Sequence, residues 1–208
     1  MAGLEIRFSG LSKRFGRQVV LRNVNGTAKP GEVLVVTGPN GSGKSTLLNI
    51  LGGLLRPSCG EVAYLANGRA LPKEEWHRHL GVCAPDLSVY EELSALENLR
   101  FFTQVRGLRL PENELSAVLE QLGLQGSDFF RPVKQFSSGM LQRVKLAQAL
   151  VHRPEVLLLD EPSSNLDEAG HRLLKELVMA WRERATVVMA TNDPREVAWG
   201  DRVLELAH

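Results

Sequence analysis

Apolar residues run along this chain in two rhythms. "GEVLVVTG", Gly31 to Gly38, is an unbroken apolar run between glycines, the pattern of a strand covered on both faces. "EVLLLDEP" and "TVVMATND" repeat it, so the segments at Val156–Leu159 and Val187–Ala190 are expected to be buried strands, and "HLGVCAP" adds another. "EIRF" and "QVVL" read as short strands joined by a basic turn, "SKRFGR", and "GEVAYLANGRAL" as a hairpin turning at Asn67-Gly68. The second rhythm is helical. Leu47, Leu48, Ile50 and Leu51 mark the apolar side of a helix that Gly52 and Gly53 end. Leu115, Val118, Leu119 and Leu122 share one face of "PENELSAVLEQLG", with Pro111 at its start and Gly123 at its end. Leu173, Leu174, Leu177, Val178 and Trp181 form a core stripe. Strands alternating with helices predict an α/β fold with a mostly parallel sheet and a helical insertion from about Asp86 to Val151.

Length and charge narrow the function more than the fold. The chain has 208 residues, 43% of them hydrophobic, and a net charge of +1. Near-balanced charge argues against a nucleic-acid coat or a polybasic membrane anchor, so no nucleic-acid partner is expected. Cys59 and Cys83 form no Cys-x-x-Cys pair and are expected to be buried thiols of a reducing compartment. "MAGLEIRFSG" carries an acid and a base too early for a secretory signal. No apolar run approaches the ~20 residues that span a bilayer, so any role at a membrane is expected to go through a partner. His77 and His79 in "EEWHRHL" read as solvated surface.

Three segments carry chemistry. "GPNGSGKST", Gly38 to Thr46, fits G-x-x-x-x-G-K-[ST] between an expected strand and an expected helix. The glycines let the loop of Gly38, Pro39, Asn40, Gly41, Ser42 and Gly43 wrap tightly, so that successive amide N–H groups face one centre, where the helix N-terminus adds positive potential. Lys44 supplies a full charge for the outer phosphates, Ser45 a hydroxyl for Mg²⁺, and Thr46 a bond to an inner phosphate. Asp160 and Glu161 end a buried strand, where paired acids are expensive unless cations or donors meet them. Because side chains alternate along a strand, Asp160 is placed to hold the metal shell and Glu161 to act as general base on a water in line with the γ-phosphate. In the third segment, Ser137-Ser138-Gly139 can cap a helix whose stripe is Met140, Val144, Ala147 and Val151, which makes a second anion site. One chain already has a phosphate loop, so the second site suggests a second molecule, two copies each offering it to the other's ATP.

Together the segments resemble the nucleotide-binding subunit of ABC transporters over nearly the whole chain. Walker A is "GPNGSGKST", the signature "FSSGM" with "LQRVKLAQAL", Walker B "VLLLDEP", and the D-loop "SSNLD", Ser163 to Asp167. "SKRFG" is similar to the segment that stacks an aromatic on adenine, which makes Phe15 the candidate. The resemblance implies a P-loop NTPase with a RecA-like core, an antiparallel β subdomain and an inserted helical subdomain. It divides the single cassette, 1–208, into 1–85 plus 152–208 and an inserted 86–151. It also implies ATP and Mg²⁺ as ligands and a head-to-tail pair of cassettes. Integral membrane subunits would hold it, as a peripheral protein, on the cytoplasmic face of the membrane.

Three positions depart from the family pattern. Met140 replaces the signature Gln and lacks its amide hydrogen bonds, while Ser137 and Gly139, the usual γ-phosphate contacts, remain. Asp86 stands where a Gln is usual and, being short, is expected to reach Mg²⁺ through water. Asn192 stands where the switch His is usual; its amide can donate to phosphate but carries no charge and shuttles no proton. Met140 and the acid at Asp86 resemble an exporter branch that includes heme exporters, whose ATPase is similar in size. The expectation is an ATPase subunit powering export, with modest hydrolysis that Asn192 assists. The alternatives are a weakly hydrolysing dimerisation switch and a soluble, non-transport ABC protein. Asp193 is expected to cap the following helix.

Overall fold

The computed structural model describes residues 3–206. Its first element, β1 (Glu5–Phe15), pairs antiparallel with β2 (Gln18–Ala28). β3 (Val33–Thr37) leads into α1 (Lys44–Leu51), and β4 (Cys59–Ala66) turns through Asn67 and Gly68, both at positive φ, into β5 (Arg69–Ala70). A short α2 (Trp76–His79) precedes β6 (Leu80–Cys83). Then come α3 (Ala95–Val105), α4 (Glu112–Gln121) and α5 (Ser138–Leu150). β7 (Val156–Asp160), α6 (Glu168–Arg182), β8 (Thr186–Ala190), α7 (Pro194–Val197) and β9 (Arg202–Glu205) complete the described chain.

Two sheets result. One is antiparallel, in the order β2-β1-β4-β5; the other is parallel, in the order β6-β7-β8-β3-β9. The apolar runs explain the parallel sheet, because its strands are buried on both faces. Val33, Val35, Leu157, Leu159, Val187 and Met189 face a core shared with α3 to α6. Their alternates Leu34, Val36, Val156, Leu158, Val188 and Ala190 face a second core, with α1 and the antiparallel sheet's Ile6, Phe8, Leu11 and Tyr64. Each buried valine, leucine, isoleucine, methionine or phenylalanine here contributes roughly 2 kcal/mol on burial. Apart from Thr186, which opens β8, no polar residue interrupts either face of β3, β7 or β8 before their carboxyl ends, so the polar groups that follow appear together at one edge of the sheet.

Several sequence expectations are corrected here. The basic turn "SKRFGR" is mostly strand, since β1 runs to Phe15 and only Gly16 and Arg17 turn. Register shifts beyond Phe8 let the strand bend, so that Leu11 is buried while Lys13 and Arg14 face outward. Cys83 is buried, but Cys59 is exposed, because it opens β4 at the end of the antiparallel sheet. His77 is exposed as expected, whereas His79 is half-buried with Nδ1 2.8 Å from a Glu155 carboxylate oxygen. Among the described residues, no helix is long and apolar enough to cross a membrane.

Candidate functional site: a phosphate loop facing two carboxylates

β7, β8 and β3 are neighbours running the same way, with Asp160 opposite Ala190 and Ala190 opposite Val36. The segments that follow these strands therefore emerge side by side. They are the carboxylate pair, the Thr191–Asp193 switch and the phosphate loop, which share the carboxyl edge where open parallel sheets bind ligands.

The loop turns tightly after β3. Gly38 has φ 146°, and a Cβ there would stand 2.5 Å from the Leu206 carbonyl oxygen. Gly43, at φ 98°, begins α1, and a Cβ on it would meet Leu21 at 2.8 Å. Only glycine fits these positions. Lys44 is buried, and its ammonium donates to the carbonyls of Gly38 at 2.9 Å and Pro39 at 3.3 Å. Around it lies a cavity of about 370 Å³ lined by Val20, Asn40, Gly41, Gly43 to Thr46 and Glu161. The half-exposed Phe15 ring, with the Lys13 ammonium 5.0 Å from its centroid, leads toward Val20 along the same antiparallel pair of strands.

The acids differ. Asp160 is buried, its Oδ1 has no hydrogen-bond partner, and burial raises its pKa, with the nearby Asp86 charge adding to the rise and the Ser45 hydroxyl and Lys44 opposing it. Glu161 leaves the strand at φ 45°, a left-handed conformation uncommon outside glycine. Its N–H donates to the Ala190 carbonyl at 2.9 Å, which holds the turn. Burial raises its pKa too; Lys44 works against the rise, the charges of Asp160 and Glu196 add to it, and the Asn192 N–H favours the ionised form. Asp86 is exposed, close enough to Asp160 to be felt as a charge.

The switch segment is pinned at each flank. The Thr191 N–H donates to the Val36 carbonyl at 3.1 Å, and the Thr191 hydroxyl accepts from the Asp193 N–H at 3.0 Å. Between them the Asn192 amide Nδ2 donates to Asn40 Oδ1 at 2.7 Å. Asp193 caps α7 through the Arg195 N–H.

The serine–glycine segment opens a second concavity. Ser137 Oγ accepts from the Met140 N–H at 3.2 Å and so caps α5. The cavity there, about 450 Å³, is lined by Ser137 to Met140, Arg143 and Asn165 to Asp167 among others, and no residue lines both it and the phosphate cavity. Sequence reasoning missed the link between α5 and the carboxylate strand: Gln142 Nε2 donates to the Pro162 carbonyl at 2.8 Å. It also missed the Asn40–Asn192 pair. Neither has a local signal, because the partners lie far apart in sequence.

Comparison with known proteins agrees with this geometry. Residues 21–164 match the family model described as "ABC transporter". The lantibiotic transport ATP-binding protein SrtF of Streptococcus pyogenes is 34% identical over 187 residues, covering 90% of this chain and 79% of that protein. The phosphonates import ATP-binding protein PhnC of Frankia casuarinae is 36% identical, covering 97% and 86%. Among solved structures, the cassette MJ0796, described as a dimer and in a post-hydrolysis state bound to ADP and Pi, superposes with a TM-score of 0.86 at 29% identity, covering 97% of this chain and 94% of that one. The phosphate loop, the carboxylate pair and the serine–glycine helix start stand in one α/β fold with these proteins, and the chain belongs to the ABC transporter family as an ATP-binding, ATP-hydrolysing cassette.

Proposed function

We propose that this cassette powers export through integral membrane subunits, with Glu161 as the general base of ATP hydrolysis. One observation carries the reading: the Glu161 carboxyl lines the phosphate cavity beside Lys44 and takes support from the Asn192 N–H. Its raised pKa suits a base that must accept a proton. Gly38 to Thr46 cradle the phosphates, Lys44 exchanges its carbonyl partners for phosphate oxygens, and Asn192 donates to the terminal phosphate. Phe15 stacks on the base.

Mg²⁺ fits the donors present. Asp160 offers a buried, unpartnered oxygen and Ser45 a hydroxyl, a hard oxygen set. Among the described residues no three His, Cys, Asp or Glu side chains gather to hold a metal unaided, so the nucleotide's phosphates complete the shell. When bound, the ion would neutralise phosphate charge, and Asp86 would join Asp160 and Ser45 in holding it, through water.

Ser137 and Gly139 serve the ATP of a second cassette, since their cavity is separate from the chain's own phosphate loop. The cassette divides into 1–85 with 152–208, and 86–151. The exposed, edge-on rings of Tyr90 and Phe101, 4.8 Å apart, offer an apolar face to the membrane subunits, which hold the protein at the cytoplasmic face. Met140 and Asp86, which resemble an exporter branch that includes drug, polysaccharide and heme exporters, support export, with heme among the candidate cargoes. A second reading, an ATP-closed switch with little turnover, draws on the uncharged Asn192.

Mg-ATP turnover of the purified chain, with Glu161→Gln as control, tests the assignment. Turnover that disappears in the control while nucleotide binding persists supports it. A control that still turns over rejects Glu161 as the base, and binding without turnover even with the membrane subunits present supports the switch.

A further inference from the structure

We propose that Gln142 is a positioning residue for Glu161: by holding the Pro162 carbonyl it fixes the turn that aims the carboxylate into the phosphate cavity. The inference rests on the reading of Glu161 as the general base. Glu161 stands at φ 45°, a conformation that persists only where the surroundings over-determine it. On its N-terminal side its own N–H is bonded to the Ala190 carbonyl on β8 at 2.9 Å. On its C-terminal side the main chain offers only a local bond, from the Ser164 N–H to the Glu161 carbonyl at 3.1 Å. Pro162 follows, and it has no N–H to give, so its carbonyl is its one main-chain handle.

Gln142 takes that handle. Nε2 donates to the Pro162 carbonyl at 2.8 Å, and both residues are buried. A carbonyl oxygen only accepts, so the nitrogen end of the amide must face it. The same nitrogen is 3.6 Å from Cys83 Sγ on β6, the strand beside β7, which gives its second hydrogen a weak acceptor. α5 is itself anchored. Arg143 donates to the carbonyls of Leu122 at 3.3 Å and Gly123 at 3.2 Å, and the Lys145 ammonium to the Pro85 carbonyl at 2.7 Å. Glu161, which lines the cavity beside Lys44, is thus held from β8 on one side and from α5 on the other. The helix that starts at the serine–glycine segment and the turn that carries the carboxylate share one buried hydrogen bond.

Mg-ATP turnover and calorimetric Mg-ATP binding are compared between the full chain and Gln142→Met, which keeps the side chain's length and loses its donor. kcat is expected to fall about tenfold, the scale of a misaimed catalytic group, while Mg-ATP affinity changes by less than about twofold. A loosened turn lets water reach the Glu161 carboxylate, so the acidic limb of the kcat–pH profile is expected to move to lower pH. Gln142→Asn, whose amide stops one carbon short, is expected to behave alike, so the result does not hang on the folding of one variant. An unchanged kcat, a loss of affinity in step with kcat, or an unmoved limb would each make Gln142 a packing residue and overturn the proposal. Glu161→Gln separates the two claims. If it abolishes turnover and Gln142→Met leaves turnover intact, the positioning role alone falls. If Glu161→Gln turns over undiminished, the reading of the base falls and the positioning role with it.

Discussion

His171 on α6 and Glu196 on α7 meet in the interior, with 3.9 Å between Nε2 and Oε1. Neither atom has a hydrogen-bond partner, both Glu196 carboxylate oxygens are fully enclosed, and the Trp199 ring covers the imidazole at 5.0 Å between centroids. Asp193 Oδ2 stands 3.7 Å from the same nitrogen. The helix that follows the D-loop thus packs against the switch segment through one histidine. His171→Leu strands a buried carboxyl group and is expected to cost about 3 kcal/mol of folding stability. Adding Glu196→Leu should restore part of the loss. Urea unfolding of the single and double variants measures both.

Turnover should rise with pH along an acidic limb above the usual carboxylate range. Glu161 must be ionised to take a proton, and burial raises its pKa. The charge of Glu196 contributes to that rise. Glu196→Gln should move the limb to lower pH, and a pH–rate profile of the two proteins under saturating Mg-ATP checks it.

Asp160 and Glu161 also set a stability trend. Their pKa values are raised in the fold, so the folded chain holds these protons more tightly than the unfolded one. Their contribution is favourable below the unfolded carboxylate values and is lost as pH rises through the raised ones. Above that window the nucleotide-free protein carries two costly charges, one on buried Asp160 and one on half-buried Glu161, and Mg²⁺ would relieve the first. The thermal shift produced by Mg-ATP should therefore be larger at pH 7.5 than near the carboxylate range, at about pH 5. Scanning fluorimetry at the two values decides, and an unchanged shift would exclude Asp160 as a metal ligand.

Gly139→Ala should lower turnover at least about tenfold and leave nucleotide affinity of the chain's own phosphate loop unchanged. A Cβ at Gly139 would stand 2.9 Å from the Asn165 carbonyl oxygen and push the D-loop from the start of α5. A titration and a rate assay on one preparation separate the two effects.

What could be read from the sequence follows the distance between partners. Gly38 to Thr46 form one contiguous turn, so their spacing alone carries the geometry, and the buried runs of β3, β7 and β8 declare themselves by having no polar face. Asn40 and Asn192 are 152 positions apart, and Gln142 and Pro162 are 20, so only strand order brings either pair together. Nothing in the sequence around His171 marks it; the enclosure of Glu196, with no partner for either oxygen, gives it meaning. The extension of β1 through a basic segment escaped because bends in the register, not hydrophobic alternation, place Lys13 and Arg14 outside. Cys59 escaped because thiols are usually buried, whereas its strand begins at an open end.

The separate linings of the phosphate cavity and the Ser137–Met140 cavity bear on kinetic order. If each chain carries only half of a working site, turnover per chain by the isolated protein grows with its own concentration until pairing saturates. Dilution silences it without unfolding it. Tethered side by side on membrane subunits, two chains meet at an effective concentration that the cell's protein level does not set. Assembly itself would then be the on-switch, and a cassette released from its complex would idle rather than waste ATP.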